Sequence, residues 1–155
     1  MASKYLSGPI VRTRKSQKDY NSYRKRKPGS FDATSDTCVF CDRNELANPI
    51  QRPHFLVVEN RFKYDVWDGC RVTDHLMVIP QRHITDFSQF TSDEKIAFID
   101  LLAEYESQGY SVYSRGVNSA TRTVEHVHTH LIKLDSRAIN GLIYLTKPHL
   151  LIYKK

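Results

Sequence analysis

Long apolar runs are missing from this chain of 155 residues. No segment approaches the roughly 20 consecutive apolar residues needed to cross a bilayer. The N-terminus also lacks an apolar signal core, so the expectation is a cytoplasmic protein with no membrane partner. Cysteine is scarce: Cys38, Cys41 and Cys70 are an odd number in a chain without an export signal, which argues against a disulfide framework. No internal repeat and no second folded domain is visible. What remains is an ordinary soluble composition, 40% hydrophobic and 26% charged, suited to one domain.

The net charge of +6 is unevenly placed. Residues 1–28 hold nine of the 23 Lys and Arg and only one of the 17 acids, Asp19, so this segment carries +8 and the remainder −2. The chain therefore divides into a basic, disordered arm over residues 1–33 and a globular domain over 34–155. Such an arm either solubilises the protein or binds nucleic acid or another polyanion by charge neutralisation. Tyr5, Tyr20 and Tyr23 could dock part of it on the domain.

Within the domain, Phe55–Val58 and Tyr64–Trp67 read as paired strands around a turn at Asn60-Arg61, and Leu76–Ile79 as a buried strand closed by Pro80. Thr91-Ser92-Asp93-Glu94 has the form of a capping box. Ile96, Phe98, Ile99, Leu102 and Tyr105 follow at helical spacing, and Gly109 marks the helix end. Tyr110–Val117, Val124–Leu134, Leu142–Leu145 and Leu150–Tyr153 read as further strands. Strands, a helix and more strands predict an α+β fold with a mainly antiparallel sheet.

His126, His128 and His130 recur at a spacing of two within the segment Val124–Leu134. On a strand their imidazoles share one face, opposite Val127, Thr129 and Leu131. Neutral imidazole is available near pH 7 and can attack phosphorus without a separate base. A neighbouring imidazole can stabilise charge building on the phosphate oxygens. A metal cluster or solvent-facing histidines fit the same spacing, so periodicity leaves the choice open. Cys38 and Cys41 form a C-x-x-C pair, two of the four N or S ligands that tetrahedral zinc takes.

Three blocks together carry a resemblance. His126–Ile132 is similar to the His-φ-His-φ-His-φ-φ signature (φ apolar) of the histidine-triad (HIT) superfamily, with polar Thr129 at one φ position. His75-Leu76-Met77-Val78-Ile79-Pro80-Gln81-Arg82-His83-Ile84 resembles the family's His-hydrophobic-Val-Ile-Pro-Lys-x-His-Ile segment. Cys38-Val39-Phe40-Cys41 resembles the Cys-Ile-Phe-Cys of many zinc-containing bacterial members. The blocks occur in family order and span residues 38–132.

The resemblance implies a HIT-like fold and a set of roles. His128 matches the nucleophile that forms a nucleotidyl-histidine at the α-phosphorus. His130 matches the residue that contacts phosphate and assists the leaving group, and His75 the fourth active-site histidine. Asp68 corresponds to the acid that holds the ribose hydroxyls, and Asn118 to the asparagine ahead of the triad. Thr123 keeps the hydroxyl of the family's Gly-Gln-Ser/Thr turn, whose Gln is replaced here by Arg122, a candidate contact to a longer phosphate chain or a nucleic-acid backbone. His83 and His126 complete a structural zinc site with Cys38 and Cys41.

The implied activity is hydrolysis of a purine nucleoside phosphoramidate, an aminoacyl adenylate or a dinucleoside polyphosphate. The third histidine favours hydrolysis, because the nucleotidyltransferase branch of the superfamily has Gln there. One alternative is aprataxin-like removal of adenylate from nucleic-acid ends, weakened by the lack of an appended C2H2 finger. Another is a non-catalytic, zinc-stabilised nucleotide-binding module. A homodimer is expected, with Leu142–Tyr153 a candidate interface.

Overall fold

The computed structural model describes residues 11–26 and 38–138. Six strands form one antiparallel sheet: β1 (Ala47–Gln51), β2 (Phe55–Glu59), β3 (Val66–Trp67), β4 (Cys70–Pro80), β5 (Tyr110–Ser114) and β6 (Thr129–Ala138). The order is β1-β2-β4-β6-β5, with β3 also paired to β4. Two helices, α1 (Arg14–Arg26) and α2 (Ser92–Ser107), complete the α+β architecture. The expected strands at 142–145 and 150–153 lie outside the described residues. Among the described residues no helix is long and apolar enough to cross a membrane.

Phe55, Leu56, Val57 and Val58 are all buried, so β2 is covered on both faces. Phe55 and Val57 join Val78, Leu131 and Val127 against Leu101 and Tyr105 of α2. Leu56 and Val58 join Met77 and Ile79 under Phe40 and Leu46. The long β4 and β6 run side by side in the centre and place His75 opposite Ile132, and Met77 opposite His130.

The capping box forms as expected. Thr91 Oγ1 accepts the Glu94 N–H at 3.2 Å, and Glu94 Oε2 accepts the Thr91 N–H at 2.8 Å. Arg82, just past β4, donates to both carboxylate oxygens of Glu94 at 3.1 and 2.8 Å. These bonds hold the Glu94 carboxyl down to about 2. They also tie the loop carrying His83 to the start of α2.

Four expectations are corrected. Residues 14–26 are not disordered: they form α1, whose Tyr20 and Tyr23 rings pack on Phe62 at 5.3 and 4.9 Å. The Val66–Trp67 strand pairs with β4, not β2. Asp68 and Gly69, with φ of 50° and 72°, make the two-residue hairpin turn that imposes this pairing, and glycine suits the left-handed second position. Ile96 and Ile99 face solvent, 63% and 62% exposed, so of the expected stripe only Phe98, Leu102 and Tyr105 pack on the core, together with Leu101. Regular strand pairing begins only at Thr129, so His126 and His128 precede β6.

Candidate active site and metal cluster

The face alternation survives without a regular strand. Val127 and Leu131 enter the core against α2, while His128 and His130 open on a cavity of about 640 Å³ on the opposite side. The backbone before β6 is held by the Val127 N–H donating to Ile84 O at 2.8 Å. Arg122 adds a second brace, with Nε donating to Val124 O at 3.2 Å and Nη2 to the carbonyls of Thr85 and Glu125.

His128 is 8% exposed, and that edge meets the cavity. Its Nδ1 lies 2.9 Å from the His126 carbonyl, which can only accept. The proton of neutral His128 therefore sits on Nδ1 and the Nε2 lone pair is free. Burial pushes this imidazole down to about 4, so it is neutral at physiological pH. Phe40 and His130 pack edge-on against it, each at 5.1 Å.

His75 is fully buried, and its Nδ1 accepts the Tyr64 N–H at 3.0 Å. Its proton therefore sits on Nε2, 2.9 Å from His130 Nδ1, and donates there. The Asn60 amide nitrogen flanks the same His75 atom at 3.1 Å. Burial first, and the Arg12 charge second, push His75 down to about 3. Burial also holds His130 well below the ordinary imidazole range. These bonds leave the His130 proton on Nε2.

Cys38, Cys41, His83 and His126 converge so that their ligand atoms lie within 4.8 Å of one another. Cys38 Sγ is 3.6 Å from His126 Nδ1, and Cys41 Sγ is 3.3 and 3.5 Å from the Nδ1 atoms of His83 and His126. A tetrahedral ion at about 2.3 Å from sulfur and 2.0–2.1 Å from nitrogen gives an S···N edge of about 3.6 Å, so the donor set fits. The outer contacts fit as well. His126 Nε2 donates to Pro80 O at 3.1 Å, which frees Nδ1 for a metal. The Phe40 N–H points to Cys38 Sγ at 3.4 Å.

The other predicted residues divide. Thr123 lines the large cavity, with its hydroxyl 2.8 Å from Tyr20 OH. Arg122 lines a smaller cavity of about 150 Å³ beside His128, with its guanidinium engaged by the three carbonyls above. Asp68 is exposed at the hairpin turn, and Asn118 is exposed in a turn with φ of 62°. Neither lines a cavity, because each is spent on turn geometry.

The sequence reading missed Arg12 and Arg115. Arg115 follows β5, lines both cavities, and sits 3.2 Å from His130 Nε2 through Nη1. Arg12 reaches the large cavity from the segment before α1. Pairing the expected strand at 110–117 against the histidine strand would have brought Arg115 to the triad. No comparable signal marked Arg12.

Residues 68–137 match the family model described as the HIT domain. The chain carries a HIT domain of the histidine-triad superfamily. Comparison with curated proteins gives no significant match. Among solved structures, a HIT family hydrolase from Clostridium thermocellum is similar at 19% identity and TM-score 0.47, over 68% of this chain and 96% of that one. A HIT family hydrolase from Legionella pneumophila Philadelphia 1 is similar at 23% identity and TM-score 0.44, over 64% and 93%. A histidine triad protein from Clostridium difficile shares 17% identity at TM-score 0.45, over 66% and 94%. The family assignment rests on the domain match together with the three sequence blocks.

Proposed function

We propose that this HIT domain cleaves a purine nucleotide at the α-phosphate through a nucleotidyl-histidine on His128. The observation that carries the reading is the bond from His128 Nδ1 to the His126 carbonyl, which leaves Nε2 unprotonated on a side chain that lines the large cavity. In the first step the Nε2–P bond forms and the bond to the leaving group breaks. His130 Nε2–H, oriented by the His75 bond, gives its proton to the departing atom. Water then attacks phosphorus and returns a proton to His130 Nε2 as the N–P bond breaks, which releases the nucleoside monophosphate and restores neutral His128 and His130. Phe62, Tyr64, Trp67 and Tyr113 supply aromatic surface in the cavity. Phosphoramidates, aminoacyl adenylates and dinucleoside polyphosphates all carry the required bond.

We assign zinc to the cluster of two cysteines and two histidines. Four protein ligands leave no open coordination position, so the ion would be structural. It would fix the peptide of His126, whose carbonyl orients the nucleophile.

The test is incubation with an adenosine phosphoramidate and a diadenosine polyphosphate, with AMP release and an adduct on His128 as readouts. Turnover that falls at least about 10³-fold in His128→Ala supports the assignment. No AMP from either substrate and no adduct refutes it.

A second reading, action on adenylated nucleic-acid ends, is favoured by α1. Its exposed Lys15, Lys18, Lys25 and Arg26 lie on an element that also lines the cavity. Binding to such an end should weaken steeply with salt, and a flat salt dependence would dismiss it. The homodimer is likewise a proposal, tested by sedimentation.

A further inference from the structure

The neutral hydrogen-bond chain through the site leaves two donor–donor contacts, one between the Asn60 amide and His75 Nε2 in the interior and one at the cavity. It runs from the Tyr64 N–H to His75 and from His75 to His130, leaving a proton on His130 Nε2. That nitrogen faces Arg115 Nη1 at 3.2 Å, and a guanidinium has only donors. Reversing the chain does not help. If His130 Nε2 accepted from Arg115, its proton would move to Nδ1, and His75 would then have to accept at both nitrogens. A donor–donor contact survives either way, at the Tyr64 N–H in the reversed chain. In the first arrangement an anionic oxygen accepting from both His130 Nε2–H and Arg115 would relieve the contact that faces the cavity.

A second cation stands close by. Arg12 Cζ lies 4.8 Å from the Tyr64 ring centroid, and Arg115 Cζ lies 5.9 Å from the same centroid. The two charges are near enough for Arg115 to disfavour the charged form of Arg12. Among the described residues neither arginine forms an ion pair. Arg12 donates Nε and Nη2 to Phe62 O, and Arg115 donates Nε to Thr121. Acids nearby are engaged elsewhere. Asp65 accepts from the Thr13 N–H and the Ser16 hydroxyl, Glu45 takes Arg61 and Tyr23, and Glu59 takes Asn48 and Lys63. Two neighbouring guanidinium groups facing a cavity whose lining carboxylates, Glu45 and Glu59, are already paired with other side chains form a site for an anion.

We infer that Arg115 and Arg12 form an anion clamp beside His130 that selects nucleotides bearing at least one phosphate beyond the α-phosphate. This rests on the nucleotide reading above and narrows it to pyrophosphate-linked substrates, over phosphoramidates whose leaving group is an amine. Cleavage of such a substrate transfers the P–O electron pair to a leaving phosphate. The clamp would hold that growing charge while His130 donates its proton. The tie of Arg12 to Phe62 makes the segment leading into α1 part of the substrate pocket.

The test is equilibrium binding of AMP, ADP and inorganic tripolyphosphate to the full zinc-loaded chain, which needs no turnover. In the unaltered protein ADP should bind at least about 10-fold more tightly than AMP, and tripolyphosphate should compete with ADP. Arg115→Gln and Arg12→Gln, combined, should bring the ADP/AMP ratio within about 3-fold. Arg115→Lys keeps one charge without the planar fork and should give an intermediate ratio, which serves if the double variant fails to fold. Equal affinities in the unaltered protein, or a preference that survives the substitutions, overturns the clamp. If the preference holds but no nucleotide is cleaved, the hydrolase reading fails and the clamp stands. If cleavage occurs with a flat ratio, the reverse is true.

Discussion

If the cluster holds zinc as proposed, removing the metal should disable His128, the proposed nucleophile, without touching it. The perturbation is Cys38→Ser, or chelation of the unaltered protein. The cluster joins three stretches with little regular pairing: the turn at 38–41, the loop after β4 with His83, and the segment before β6 with His126. With free zinc at 100 to 1,000 times its Kd, linkage stabilises the fold by about 2.7–4.1 kcal/mol. For a chain of this size each kcal/mol is worth roughly 2–4 °C in Tm, so chelation should lower Tm by about 5–16 °C. Activity should fall further than stability implies, because the His126 carbonyl that orients His128 loses its anchor at 2.9 Å. The assay pairs elemental analysis and thermal denaturation with AMP release. One zinc per chain retained by Cys38→Ser, or chelation that removes zinc yet leaves Tm and turnover unchanged, would refute the reasoning.

Acidification should destabilise the fold before any carboxylate titrates. His75 is held near 3 against an unfolded value of roughly 6.5. The unfolded chain takes up this proton first, so the stability due to His75 is full above about pH 6.5 and is lost as pH falls toward 3, by at most about 5 kcal/mol. A urea midpoint unchanged between pH 7 and 4.5 would contradict this, and His75→Asn should flatten the slope. Glu94→Gln should cost about 1–2 kcal/mol by weakening the bonds from Arg82 and the charge at the start of α2, and an unchanged denaturation midpoint would show that the contact is solvent-screened. If the outer face of α2 forms the proposed dimer, Ile96→Glu with Ile99→Glu should give monomers in sedimentation velocity with Tm little altered, since both side chains are exposed; a dimer that survives both changes places the interface elsewhere.

What was legible in the sequence was local. The capping box at Thr91, the stop of α2 at Gly109 and the buried strand ending at Pro80 follow from short-range chemistry, and all appear. The cluster of Cys38, Cys41, His83 and His126 was legible through the family resemblance, since its halves are 85 residues apart for Cys41 and His126. The hairpin was misjudged because Asn60-Arg61 was weighed as its turn while Asp68-Gly69, the pair with the right φ preference, was weighed as a ribose contact. Helix α1 was missed for a different reason. Its composition is polar and basic and gives little drive to fold alone. Its order comes from outside, through Tyr20 and Tyr23 on Phe62 and the Tyr20 hydroxyl on Thr123.

The basic residues around the triad share a physical pattern. Arg122 was credited with a phosphate contact because it replaces a glutamine in a family turn. In the fold its guanidinium turns back to three carbonyls and holds the approach to His128. A turn that has exchanged Gly-Gln for Thr-Arg can use the longer side chain to brace the backbone. The positive charge near the triad then comes from Arg115, at the end of the neighbouring strand, and from Arg12, about 50 residues before its Phe62 anchor. Neither position is part of a local motif, so only the register of β5 on β6 and the docking of α1 bring them to the cavity. The candidate metal cluster and the proposed nucleophile, by contrast, share a single peptide unit. His126 offers Nδ1 to the cluster and its carbonyl to His128. A substitution that spares every reacting atom but moves this peptide should therefore act on catalysis as strongly as on metal affinity.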